Sequence, residues 1–227
     1  MHLGRVRDRI AKAAGRVGRD PASVAIVAVT KGHSIAAARE AAAEGLLDLG
    51  ENRVQEALMK MEEWPDAPVR WHLIGHLQSN KTKKAVGRFA LIHSVDSARL
   101  ADELDRAAGA ANVVQDVLVQ VNVAREEQKS GADPDEVHGL VAHVAAKRQL
   151  KLRGLMTMAP LTDDVSIQRE TFGGLRELRD LLALDGRLPG GGCLDELSMG
   201  MSQDFEVAVE EGATLLRLGT VLFGERT

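Results

Sequence analysis

The chain has no tyrosine and a single cysteine, Cys193, among its 227 residues. One cysteine excludes an internal disulfide and any cysteine-built metal cage, which fits a reducing compartment. The missing tyrosine removes every mechanism that needs a tyrosine base and every nucleic-acid platform that stacks bases on tyrosine. Positive charge is not in excess either: Lys+Arg 29 against Asp+Glu 33 leaves a formal charge of −4. No sequence-independent attraction to nucleic acid or to an anionic membrane is therefore expected. No apolar run is long enough to span a membrane, and the first twenty residues are charged and helix-periodic, with no secretory apolar centre. The expected partner is a small molecule and the expected location is the cytoplasm.

What is present is the balance of an ordinary globular chain, 44% hydrophobic and 27% charged, which bounds the answer to one domain over 1–227 or at most two small ones. Periodicity predicts an amphipathic opening helix over 2–18, then a buried strand from Val24 to Thr30 closed by Lys31-Gly32. Ser34 is placed to cap an Ala-rich helix from Ile35 to Glu44 that ends at Gly45. Further strands are expected at about 46–49, 70–75, 91–95, 114–123, 151–158, 194–200 and 215–219. Helices are expected near 52–63, 80–88, 97–109, 134–147, 165–184 and 202–211. Eight strand–helix alternations argue for an α/β fold, a single-domain (β/α)8 TIM barrel. An open doubly wound sheet is the rival, but no G-x-G-x-x-G turn follows the first strand. The stretch from Leu188 to Gly192 reads as a flexible loop.

Chemistry in such barrels sits at the carboxyl ends of the strands. Those ends carry Lys31, Gly50-Glu51-Asn52, His72 to Lys81, Ser94 and Asp96, Asn122, Met156, Ser198 to Ser202, and Arg217 to Thr220. Lys31 ends a strand of Val, Ile and Ala, where partial desolvation would free its amine to attack a carbonyl. A surface lysine snorkelling out of the rim is the alternative. Hydroxyls of Ser198 and Thr220, with backbone N–H groups near Gly200 and Gly219, suit a phosphate, although serine caps and turn glycines also have purely structural uses. Arg217, flanked by Leu216 and Leu218, needs a partner or a ligand, and Glu196 on the neighbouring strand is one candidate. His72, His76 and His93 lack a metal spacing and read as hydrogen-bonded core or rim residues. Met156, Met158, Met199 and Met201 read as adaptable core filler lining the pocket. No metal is expected.

The segments VAVTK, GENRVQE, WHLIGHLQSNK, HSVDS, KSG, LRGLMTM, LSMGMSQD and RLGTVLFGER, in this order over almost the whole chain, closely resemble the pyridoxal 5′-phosphate homeostasis protein family. The resemblance implies a barrel of the alanine racemase N-terminal type holding pyridoxal 5′-phosphate as a Schiff base on Lys31. It also implies cofactor-binding positions at Asn52, Met156, Ser198, Arg217, Gly219 and Thr220, with Arg217 facing the pyridine nitrogen. One departure stands beside the lysine: Gly32-His33-Ser34 replaces the Thr-Lys-Pro common in the family.

Two functions compete, a cofactor-binding protein of vitamin B6 and amino-acid homeostasis and a weak amino-acid racemase. Racemisation on this fold needs a base on each face of the substrate α-carbon, and alanine racemase takes one from a tyrosine of a second domain. This chain has no tyrosine, so a histidine such as His72 would have to substitute. The expected protein is accordingly not an enzyme, has no catalytic residues, acts as a monomer, and leaves its cofactor open to exchange with free amines or apo-enzymes.

Overall fold

The computed structural model describes residues 1–126, 128, 130–184 and 193–224; the predicted loop from Leu188 to Gly192 lies outside the described residues. Its strands are β1 (Ala25–Val29), β2 (Asp48–Glu51), β3 (Arg70–Leu73), β4 (Leu91–Val95), β5 (Gln115–Gln120), β6 (Leu150–Met156), β7 (Glu196–Ser198) and β8 (Leu215–Leu218). Each pairs in parallel with the next, and β8 returns to β1, closing the barrel. Parallel neighbours need crossovers, which the helices α2 (Ile35–Ala43), α3 (Val54–Glu63), α4 (Thr82–Ala85), α5 (Ala98–Ala111), α6 (Val137–Ala145), α7 (Val165–Leu184) and α8 (Phe205–Glu210) provide. A leading helix, α1 (Leu3–Arg16), and a short trailing one, α9 (Thr220–Phe223), complete the chain.

Strand alternation divides the core in two. Val27, Leu91, Leu118, Met156 and Leu215 pack together inside the barrel. Ala28, Leu49, Leu73, Ile92, Val117 and Val119 point the other way, into the layer under the helices. Both faces of the sheet are buried, so apolar residues follow one another through β1 and the centre of β5. Each fully buried leucine or isoleucine in these layers contributes about 1.5–3 kcal/mol relative to exposure. The stripe Leu3, Val6, Ile10, Ala13 and Ala14 seats α1 on this layer. Arg9 of α1 reaches α8, donating to both oxygens of Glu206 at 2.9 and 3.0 Å and lying 4.4 Å from the Phe205 ring centroid.

Three local departures from expectation have physical causes. The second strand begins at Asp48 and not at 46, because its inward positions are Asp48 and Gly50, which no count of hydrophobic residues detects. The helix expected over 80–88 is a 3-10 turn, Ser79–Lys81, followed by the single turn of α4, and Gly87 at φ 71° turns the chain out of it. Between β5 and β6 the register slips, with Val117 opposite Leu152 but Leu118 opposite Gly154. A Cβ at Gly154 would lie 1.9 Å from the Glu196 carbonyl oxygen, so only glycine allows β6 and β7 to pair there. Helix α2 ends as predicted at Gly45, φ 83°, with Leu46 N–H on Ala41 O and Gly45 N–H on Ala42 O. Ser34 holds the N-cap position in extended geometry without a side-chain cap bond.

Candidate functional site

The carboxyl ends of the strands open into a cavity of about 680 Å³. Lys31 enters it from the turn after β1, Asn52 from the end of β2, Gly75 and His76 from the end of β3, and Gln120 from β5. Met158 to Thr162 line it after β6, Met201 to Asp204 after β7, and Arg217 with Gly219 to Val221 on the β8 side. Five of the predicted positions, Lys31, Asn52, Arg217, Gly219 and Thr220, thus meet in one space.

Met156 and Ser198 lie deeper. Both are fully buried, Met156 among the apolar side chains inside the barrel. Ser198 is the last residue of β7 and points inward, where its hydroxyl meets His93 Nδ1 at 2.9 Å and accepts from Arg217 Nη1 at 2.6 Å. The hydroxyl that lines the mouth on this side belongs to Ser202, past the end of the strand, and it also accepts the Val221 N–H at 3.2 Å. Ser198 is on the inward face of β7 but is fully buried beneath the residues that line the cavity.

The turn that presents Lys31 is clamped from beneath. Lys60, on α3, donates to the Thr30 carbonyl at 2.7 Å and to Glu51 Oε1 at 2.5 Å, and the Thr30 hydroxyl donates to the same Glu51 oxygen at 2.5 Å. Thr30 and Glu51 are fully buried and Lys60 is nearly so. Glu51, expected at the mouth, instead faces outward from the barrel into this pair, and Lys60 was invisible in the sequence because it occupies a polar slot of an amphipathic helix. The departure after the lysine is accommodated: Gly32 takes φ 71° and the His33 ring packs on Phe223 of α9, centroids 5.3 Å apart. Gly75 is equally constrained, since a Cβ there would lie 2.3 Å from the backbone oxygen of Asn52.

Arg217 is buried, and its partners are not Glu196. Its Nη1 goes to Ser198 and its Nη2 donates to the Thr157 carbonyl at 2.8 Å, while Glu196 accepts from the Thr214 hydroxyl at 2.6 Å. Burial pushes the guanidinium down to about 10, with Asp204 opposing, so it remains a cation at neutral pH. The histidines are arranged as core and rim residues. His72 and His93 meet inside the barrel at 3.0 Å, and His72 continues to Asp48 at 2.9 Å. His76 stands at the rim, 3.6 Å from Asp96. Burial, then repulsion from His72 and Arg217, holds His93 well below the ordinary histidine range. Burial alone would raise Asp48, but hydrogen bonds from His72 and Arg70 outweigh it and hold this carboxylate well below its usual range.

The mouth therefore gathers a primary amine, a guanidinium cation, hydroxyls that include Ser202 and Thr220, and side-chain amides that include Asn52, around a partly apolar space. That donor set suits a planar, anionic ligand carrying a carbonyl that the amine can attack. The family model for the alanine racemase N-terminal domain matches residues 1–227. A pyridoxal phosphate homeostasis protein of Aquifex aeolicus is 45% identical over 224 residues, covering 99% of this chain and 96% of that protein. The structure of PipY from Synechococcus elongatus PCC7942 with PLP bound is 42% identical, covers 95% of this chain and 100% of its own, and superposes with a TM-score of 0.83. An alanine racemase of Clostridium difficile shares the fold at 14% identity and a TM-score of 0.74, over 96% of this chain and 56% of that one.

Proposed function

Because the chain belongs to the pyridoxal phosphate homeostasis proteins, we propose that it binds pyridoxal 5′-phosphate at the barrel mouth and serves vitamin B6 and amino-acid homeostasis as a carrier, not as an enzyme. The observation that carries this reading is the convergence of Lys31, Asn52, Arg217, Gly219 and Thr220 on one cavity. Lys31 would be the covalent anchor, its primary amine holding the aldehyde of the cofactor as a Schiff base. Arg217 would hold the pyridine nitrogen, offering it a hydrogen bond from a cation that does not readily give up its proton. The hydroxyls of Ser202 and Thr220 and the backbone around Gly219 grip the phosphate, at the loops where barrels commonly hold one. Asn52 borders the ring. When bound, the cofactor supplies an electron-withdrawing ring conjugated to the imine.

Low turnover is part of the proposal. The chain lacks tyrosine, and His72 cannot reach a substrate because it lies inside the barrel with both ring nitrogens engaged. Lys31 is only partly buried and Leu161, which lines the same cavity, is 85% exposed, so amines and apo-enzymes have access to the cofactor. We place the protein in the cytoplasm as a monomer. The experiment is to load the protein with pyridoxal 5′-phosphate, follow the imine absorbance, reduce with borohydride and map the adduct. The expected adduct is on Lys31 and is lost in Lys31→Ala; an adduct on another lysine overturns the assignment. Loss of optical rotation in an amino acid well above the rate with free cofactor would favour the racemase.

A further inference from the structure

Inside the barrel a line of polar side chains connects the mouth to the opposite face. Arg217 contacts Ser198 (2.6 Å), Ser198 contacts His93 (2.9 Å), His93 contacts His72 (3.0 Å), and His72 contacts Asp48 (2.9 Å). Asp48 is held in turn by Arg70, whose Nε and Nη2 each donate at 2.6 Å. Asp48 opens β2 and Arg70 opens β3, so this end lies at the amino-terminal rim, where the Arg70 side chain is 67% exposed. All other members of the line are buried.

The direction of every bond follows from the two ends. A guanidinium has only donors, so the Ser198 oxygen accepts from Arg217. An ionised carboxylate only accepts, so His72 Nε2 donates to Asp48. In a neutral His72 the other nitrogen, Nδ1, is then an acceptor, and His93 Nε2 must donate to it. His93 is buried beside a cation and stays neutral, so its Nδ1 accepts the Ser198 hydroxyl proton. Each group donates toward Asp48.

We infer that Asp48, His72, His93 and Ser198 are positioning residues for Arg217: one unidirectional hydrogen-bond chain that fixes the guanidinium edge presented to the cofactor ring and couples it to the far face of the barrel. This rests on the reading that Arg217 faces the pyridine nitrogen. Reversing the chain takes an added proton on His72. The ionisable and charged groups that face it are Asp48 with Arg70 below, Arg217 with Asp204 above, and Glu196 on the inward parity of β7. The other residues on the inner faces of β1, β5 and β6 include Val27, Leu118 with Gln120, and Met156, none of them charged.

The test is nitrogen-detected NMR of the imidazole rings in the protein without cofactor. Both His72 and His93 are expected as neutral Nε2–H tautomers at neutral pH; an Nδ1–H on His93, or a doubly protonated His72, overturns the chain. The second arm is Asp48→Asn, at the rim away from the cofactor, which can offer His72 an N–H where the carboxylate could only accept and so favour the opposite tautomers. In that variant the His93 signals should move to Nδ1–H and the affinity for pyridoxal 5′-phosphate should fall by about tenfold. If either is unchanged, the inference fails. Should Asp48→Asn not fold, the tautomers of the unaltered protein decide alone. Failure of borohydride to fix the cofactor on Lys31 would sink the cofactor reading while leaving the tautomer result standing, so the two failures are distinguishable.

Discussion

Lys60→Met is the sharpest test of how Lys31 is held. The substitution keeps the volume of the side chain but removes the ammonium from Glu51, which is fully buried, and from the Thr30 carbonyl. Among the described residues Glu51 Oε2 has no hydrogen-bond partner, so the remaining carboxylate would keep only the Thr30 hydroxyl. With side-chain exposures of 11% for Lys60 and 0% for Glu51, solvent cannot take over. Breaking such a pair from one side costs about 3–5 kcal/mol. For a chain of this size about 2–4 °C are lost per kcal/mol, so the melting temperature should fall by roughly 6–20 °C. Removing both charges, Glu51→Leu with Lys60→Met, should cost less than the single change, because no buried charge is stranded. Urea unfolding of the wild type, both single variants and the double variant closes the cycle. A Lys60→Met protein within about 1 kcal/mol of wild type, or strictly additive single changes, would refute the reasoning. In the variant the turn carrying Lys31 loses a fixed point, and borohydride trapping on Lys31 should slow with it.

Two further outcomes follow from the same geometry. His93 is depressed well below its ordinary range, so as pH falls below about 6.5 the unfolded chain takes up a proton that the folded one refuses. Stability should drop with a slope of up to about 1.4 kcal/mol per pH unit, and depressed Asp48 should add a second loss below about pH 4. Urea midpoints from pH 7 down to about 3 check this, with His93→Gln flattening the upper part of the curve; a midpoint constant from pH 7 to 5 contradicts it. Gly75→Ala would drive a methyl group against the Asn52 backbone, so cofactor binding, read by titrating the imine absorbance, should weaken while Gly4→Ala, with open space around its Cα, leaves it unchanged. Equal affinities in the two would show that the Asn52 segment is not part of the site.

How much was legible in the sequence depended on what each residue does locally. The strand count and the closed barrel were readable because β1 and the centre of β5 are apolar runs and β6 alternates apolar residues with Lys151 and Arg153, each a strand period. β2 was misplaced because its inner face is Asp48 and Gly50, filling a slot in a polar interior. Lys31 and Arg217 stood out as charges within apolar strands, a local anomaly that a single sequence reveals. The depth of Ser198 against Ser202 did not, since four residues separate a group below the rim from one on it and boundaries cannot be fixed that finely. The Thr30–Glu51–Lys60 clamp was hidden for another reason: its members come from the turn after β1, the end of β2 and a helix, and nothing in the spacing of a buried ion pair announces that the pair exists.

The circle of strands is not uniformly knit. Six positions stand in register between β5 and β6, but one, Ser198 with Leu215, between β7 and β8. Above that pair the join continues through loop contacts, among them Arg217 N–H to Gly200 O at 3.0 Å and Val221 N–H to the Ser202 hydroxyl. An anion straddling Ser202 and Thr220 would fasten these two loops like a clasp across the thinnest part of the wall. Occupancy of the mouth and mechanical integrity of the ring would then be one property, and the protein would be at its loosest in the moment after its cargo departs.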